Sequence, residues 1–210
     1  NYERGVQDGG WYPMFWNSKV RDRLIGLVTA LGARFGNQPN IEGIVIGETS
    51  AEVPAGYGCS DYLRVFESVA EAAKAAFPRK SVIQMANFAC FDVLAFMRWL
   101  VDRGIGLGTP DTFNFKRDLT GGVYPLMYES RMAVPMGPDV QWDNYERNNM
   151  SVREIRDFAI AEMDPWYLFW QIREPYFTRD VLPAIFSRKL PAAERFYSGN
   201  SASVRPKAPI

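Results

Sequence analysis

The chain has 210 residues, 47% of them apolar, with 24 basic and 24 acidic side chains and a formal net charge of zero. That length and composition support one buried core, and the charge balance leaves no basic surplus for nucleic acid or an anionic membrane. Histidine is absent, which excludes Ser-His-Asp and Cys-His catalysis and any His-ligated metal from this chain.

Two cysteines are too few for a structural zinc site. No apolar stretch approaches the roughly 18 residues of a membrane span. The chain opens on Asn1 without Met or a signal-like apolar region, so a processed or trimmed product is expected and the compartment is not read from the start. Chemistry then falls to carboxylates, helped by Tyr, Trp, Asn, Gln and Arg. The 6 Trp, 10 Tyr and 14 Phe give that inventory the look of a sugar site.

The first element is a helix over 18–35, with Val20, Leu24, Leu27, Val28, Leu31 and Phe35 at helical spacing. Asn17 or Ser18 caps its start and Gly36 stops it. After the turn GNQPN, the run IEGIVIG predicts a strand ending at Glu48. A helix follows over about 61–77 with Ser60 as its cap, then a strand over 81–87, SVIQMAN. Residues 91–102 read as a helix ended by Gly104.

GIGLG (104–108) is a short strand, followed by a polar loop with a short helix near 124–130. MAVPMGPDVQW (132–142) is extended, and Pro135 and Pro138 demand at least one bulge. Ser151-Val-Arg-Glu154 is a capping box that opens a helix to about Met163. WYLFWQ (166–171) is the last strand, and a helix over about 180–189 closes the ordered part, with Pro183 in its first turn. The expected organisation is one domain over 1–198 and an irregular tail over 199–210.

Helices and strands alternate, which predicts a parallel α/β sheet. No GxGxxG or GxxxxGK[ST] follows any strand, so a (β/α)8 TIM-barrel-like fold is expected over a doubly wound nucleotide-binding one. In a barrel the working site gathers at the C-terminal strand ends. Glu48 closes its strand there, with Gln84 and Asn87 on the next, Asp111 just past GIGLG, Asp139 and Gln141 after it, and Trp170 and Gln171 last.

The run WNSKVRDRLIGLVTALGARFGNQPNIEGIVIGETS resembles the third helix and fourth strand of the retaining glycoside hydrolase superfamily with (β/α)8 barrels. YLFWQ resembles that superfamily's eighth strand. The resemblance covers about 11–190 and is specific around Trp16–Ser50. It implies Glu48 as general acid/base and Trp170 as the sugar-stacking floor. The family places its nucleophilic Glu at the end of strand seven, where this chain offers Asp139 and Gln141. Asp139 or Asp111 is then the second carboxylate, or the site lacks a nucleophile.

On the same mapping the strands are numbers four to eight. An incomplete barrel is expected, with the missing strands in another chain or segment.

The function expected is cleavage of glycosidic bonds in a poly- or oligosaccharide by carboxylate acid/base catalysis, with no cofactor and no metal. Asn87, Gln141, Gln171 and Tyr57 are candidate hydroxyl partners. The alternatives are a non-catalytic carbohydrate-binding or structural barrel and a carboxylate lyase. Each candidate has an ordinary structural reading: Glu48 paired with Arg64, Asp111 and Asp139 as turn residues, Trp170 as core. Cys59 and Cys90 fall after consecutive strands and are a disulfide in an exported protein or two free thiols. A bacterial secreted or periplasmic location is slightly favoured. Asn149-Met-Ser151 fits a glycosylation sequon, although Ser151 is already used as a cap.

Overall fold

A computed structural model of the chain describes residues 2–4, 11–50 and 58–186. It divides into two compact units, which part between Ile105 and Gly106.

The first unit opens with a short antiparallel pair that the sequence pattern did not announce, β1 (Tyr2–Arg4) with β2 (Trp11–Pro13). Helix α1 (Ser18–Phe35) follows, its first turn capped by the Asn17 side chain, which accepts from Lys19 N at 2.9 Å. Strand β3 (Gly43–Ile46) pairs in parallel with β4 (Ser81–Met85), from Gly43 opposite Ser81 to Ile46 opposite Gln84. Helix α2 (Cys59–Ala76) connects them, and α3 (Val93–Asp102) follows β4 with Asp92 as its cap. The start of α2 has Gly58 as N-cap and no side-chain cap, so Ser60 lies inside the helix instead of ahead of it.

Apolar spacing on α2, β4 and α3 builds the core of this unit: Phe66, Ala70, Ala73 and Phe77, then Val82 and Ile83, then Phe96, Met97 and Leu100 are buried. Helix α1 crosses α2 closely enough that a Cβ on Gly32 would stand 2.5 Å from the Ala76 Cβ. Its apolar stripe is only partly used, because Val28 is buried while Leu27 and Phe35 are exposed. The apolar run of β3 is not fully covered either, since Val45 is exposed.

The second unit carries β5 (Gly106–Gly108), α4 (Tyr124–Ser130), β6 (Asp139–Val140), α5 (Asn144–Asn148), α6 (Val152–Met163), β7 (Phe169–Trp170) and α7 (Leu182–Phe186). Wide π-type turns at Leu119–Val123 and Phe177–Val181 lead into α4 and α7. Leu107 N donates to Pro135 O at 2.9 Å and Asp139 N to Thr109 O at 2.8 Å. On the other side Phe169 N donates to Pro138 O at 3.0 Å and Gln171 N to Val140 O at 3.1 Å. Pro135 and Pro138 lack the N–H that a continuous strand would need, so the extended run over 132–142 reduces to a bridge at Met136 and the two residues of β6.

Helix α6 opens on the expected capping box: Ser151 Oγ accepts from Glu154 N at 3.3 Å, and the Glu154 carboxylate accepts from Ser151 N at 2.8 Å. Leu107, Phe113, Tyr124, Met127, Met136, Ile155 and Met163 fill the core of this unit.

The expectation of a (β/α)8 barrel is overturned. The chain is a mixed α/β protein whose parallel sheets hold three and two strands, and among the described residues no barrel is formed. Alternating helix and strand periodicity encodes parallel pairing of neighbouring strands. It does not encode strand number, tilt or closure, which arise from how strands stagger across a whole sheet. Among the described residues no helix is long and apolar enough to cross a membrane.

Candidate functional site

The ends of β3 and β4 are joined by side chains beyond their last ladder bonds. Thr49, fully buried, donates its hydroxyl to Asn87 O at 2.8 Å and accepts from Asn87 N at 3.0 Å. One threonine therefore satisfies both backbone groups of Asn87. Gln84, also fully buried, sends its amide nitrogen to Gly47 O at 2.7 Å and to Met85 O at 2.8 Å. The Gly47 carbonyl and the Thr49 side chain, on either side of Glu48, are thus tied to β4 and the residues that follow it.

Glu48 itself is exposed. Its carboxylate accepts from the Asn87 side-chain nitrogen at 2.8 Å, and among the described residues it forms no ion pair. Arg64, its candidate structural partner, bonds to Asp61 on its own helix instead. Two neighbouring acceptors are notable: Gln84 Oε1 and Asn87 Oδ1 are buried and have no hydrogen-bond partner among the described residues. Buried polar atoms are nearly always satisfied, and leaving one unmet costs about 1–3 kcal/mol.

Beyond Asn87 the chain passes Phe88 and reaches Cys90, which is joined to Cys59 at the start of α2 by a disulfide with Cα atoms 5.5 Å apart. The free-thiol reading of these cysteines is therefore set aside. Tyr57 lies outside the described residues.

In the second unit, Asn144 is fully buried and organises a separate polar cluster. Its oxygen accepts from Thr112 N at 2.9 Å and Gln141 N at 3.0 Å. Its nitrogen donates to the carboxylates of Asp111 at 3.1 Å and Asp143 at 3.2 Å. Asp111 also lies 4.0 Å from the Lys116 ammonium. The half-buried Asp139 offers its backbone carbonyl to the Thr112 hydroxyl at 2.8 Å. Burial pushes the Tyr176 hydroxyl up to about 12, and the negative charges of Asp139 and Asp143 push the same way. Tyr176 donates to Gln171 O at 2.8 Å, and Gln171 Oε1 accepts from Trp142 N at 3.0 Å. Trp170 is half-buried against the cluster of Val152, Tyr176 and Val181, so part of its ring serves the core.

The structure therefore brings Glu48 together with Asn87, and it groups Asp111 and Gln141 around Asn144. Sequence reasoning missed Thr49, Asp143 and Asn144. The signal for Thr49 was a hydroxyl at a strand end, where it reaches a neighbour's backbone. The signal for Asp143-Asn144 was an Asx pair at the first turn of α5. Among the described residues no group of three or more Asp, Glu or Cys side chains is placed to hold a metal ion.

No protein-family model matches the chain, and no curated protein matches it.

Proposed function

We propose that the protein acts on an oligo- or polysaccharide and that Glu48 is its proton donor, as the resemblance to retaining glycoside hydrolases implies. The observation that carries this reading is an exposed strand-end carboxylate, oriented by the Asn87 amide at 2.8 Å and engaged by no cation among the described residues. The Cys59–Cys90 disulfide fits an oxidising, exported setting.

The second reading is carbohydrate binding without turnover. The absence of a Glu from AVPMGPDVQW favours it, since the resembled family takes its nucleophile there. Hydrolysis of aryl glycosides and of glucan, xylan, mannan and chitin oligomers by wild type and Glu48→Gln separates the two. Turnover that falls at least about a hundredfold in Glu48→Gln supports catalysis, whereas binding of a glycan without cleavage supports the second reading. Cleavage undiminished in Glu48→Gln would refute the assignment.

A further inference from the structure

The Cys59–Cys90 disulfide joins the first residue of α2 to the segment between β4 and α3. Its two halves differ in what surrounds them. Cys90 is exposed, whereas Cys59 is half-buried. Thiol–disulfide exchange needs an incoming thiolate to reach one of the two sulfurs, so access favours attack on Cys90.

The departing sulfur matters as well, because exchange is faster when the leaving thiolate is the more stable one. Cys59 opens an 18-residue helix whose N-cap is Gly58 and whose first turn has no side-chain cap. The positive end of the helix dipole is thus left to stabilise a negative sulfur there. The acidic side chain of that turn, Asp61, is engaged by Arg64 of the same helix, which offsets its charge. Cys90 has no such support. It lies two residues ahead of Asp92, whose carboxylate already caps α3 by accepting from Ala95 N at 3.0 Å. A thiolate at Cys90 would meet that negative charge, and the helix end it could use is taken.

Both asymmetries point the same way. We propose that the disulfide opens in one direction: an external thiolate attacks Cys90 Sγ, the S–S bond breaks, and Cys59 leaves as the thiolate at the N-terminus of α2. The electron pair of the broken bond goes to Cys59, and the new S–S bond joins Cys90 to the incoming sulfur. In the reverse step Cys59 attacks the mixed disulfide at Cys90 and expels the external thiolate. Cys90 is therefore the sulfur that exchanges with outside thiols, and Cys59 is the one that resolves them. Cys90 stands three residues past Asn87, whose amide holds Glu48, so the mixed disulfide forms close in sequence to the candidate site. The inference does not depend on the carbohydrate reading of that site.

The test exposes the oxidised protein to reduced glutathione, quenches the reaction in acid at early times and locates the glutathione adduct by peptide mass spectrometry. Under native conditions the adduct on Cys90 exceeds that on Cys59 at least about threefold. In concentrated urea, where α2 is unfolded and both sulfurs are open, the excess falls below about twofold. A smaller native excess, an excess on Cys59, no adduct from the native protein, or a bias equally strong in urea overturns the proposal.

Discussion

Removal of the Cys59–Cys90 disulfide should lower the stability of the first unit by a calculable amount. The two residues are 31 apart in sequence and their Cα atoms stand 5.5 Å apart, within the span that a disulfide bridges without backbone movement. Closing a loop of that length removes roughly 12 cal/mol/K of entropy from the unfolded chain, or about 3.7 kcal/mol at 25 °C. With an urea m-value of about 2 kcal/mol/M, the unfolding midpoint of Cys59→Ser/Cys90→Ser should fall by about 2 M. Wild type in excess reductant should match the double variant. Urea titrations followed by far-UV circular dichroism, with thiol quantitation under denaturing conditions, make the comparison. Two free thiols in oxidised wild type, or an unchanged midpoint in the double variant, would refute the reasoning.

Two glycines of α1 should respond to alanine with opposite signs. Nothing lies within 4 Å of a Cβ on Gly26, whereas one on Gly32 meets Ala76 Cβ at 2.5 Å and Ala76 O at 2.6 Å. Gly26→Ala should stabilise by about 0.4–1 kcal/mol, and Gly32→Ala should destabilise by roughly 1–2 kcal/mol as overpacking exceeds the propensity gain; thermal melts read both. Ser151→Ala should cost about 1 kcal/mol of stability through loss of the α6 cap.

The backbone and hydroxyl bonds from Ser151 hold the Glu154 carboxyl below the usual range. Its folded value is depressed, so its contribution is present above the unfolded pKa and lost as pH falls through the carboxylate range. Ser151→Ala should therefore flatten acid denaturation. At the other extreme, Tyr176 is raised to about 12 by burial and, less, by Asp139 and Asp143. The unfolded chain releases this proton near pH 10 while the folded one keeps it, so stability should decline from about pH 10 to 12. Tyr176→Phe should show a shallower decline in denaturant titrations across that window.

The elements legible in the sequence were those with long, regular periodicity or an unambiguous cap. The helix over 18–35 was read with Asn17 or Ser18 as its cap, of which the structure uses Asn17, and Ser151–Glu154 marked the start of α6 to the residue. The run GIVI and the run SVIQM are the parallel pair β3–β4. Some short elements were not legible, β1 and β2 of three residues each and α5 of five, whereas the equally short β5 was read from GIGLG. Nothing in three to five residues distinguishes a strand or a turn of helix until tertiary contacts choose. Barrel closure failed for the opposite reason, as a property of all strands together and of no local pattern.

For the site, parallel pairing brought Glu48 and Asn87 together as the strand-end rule anticipates. The bracing by Thr49 and the role of Asn144 depend on side chains reaching across strands and loops, and spacing along the chain does not record that reach.

The most direct test of Glu48 as proton donor is the leaving-group dependence of hydrolysis in Glu48→Ala. A general acid matters most where the departing oxygen is basic and little where it leaves readily as an anion. With aryl glycosides of the sugar that wild type cleaves, Glu48→Ala should lose at least about a hundredfold on phenyl leaving groups and less than about tenfold on dinitrophenyl ones. Equal losses across the series, or none, would contradict the account.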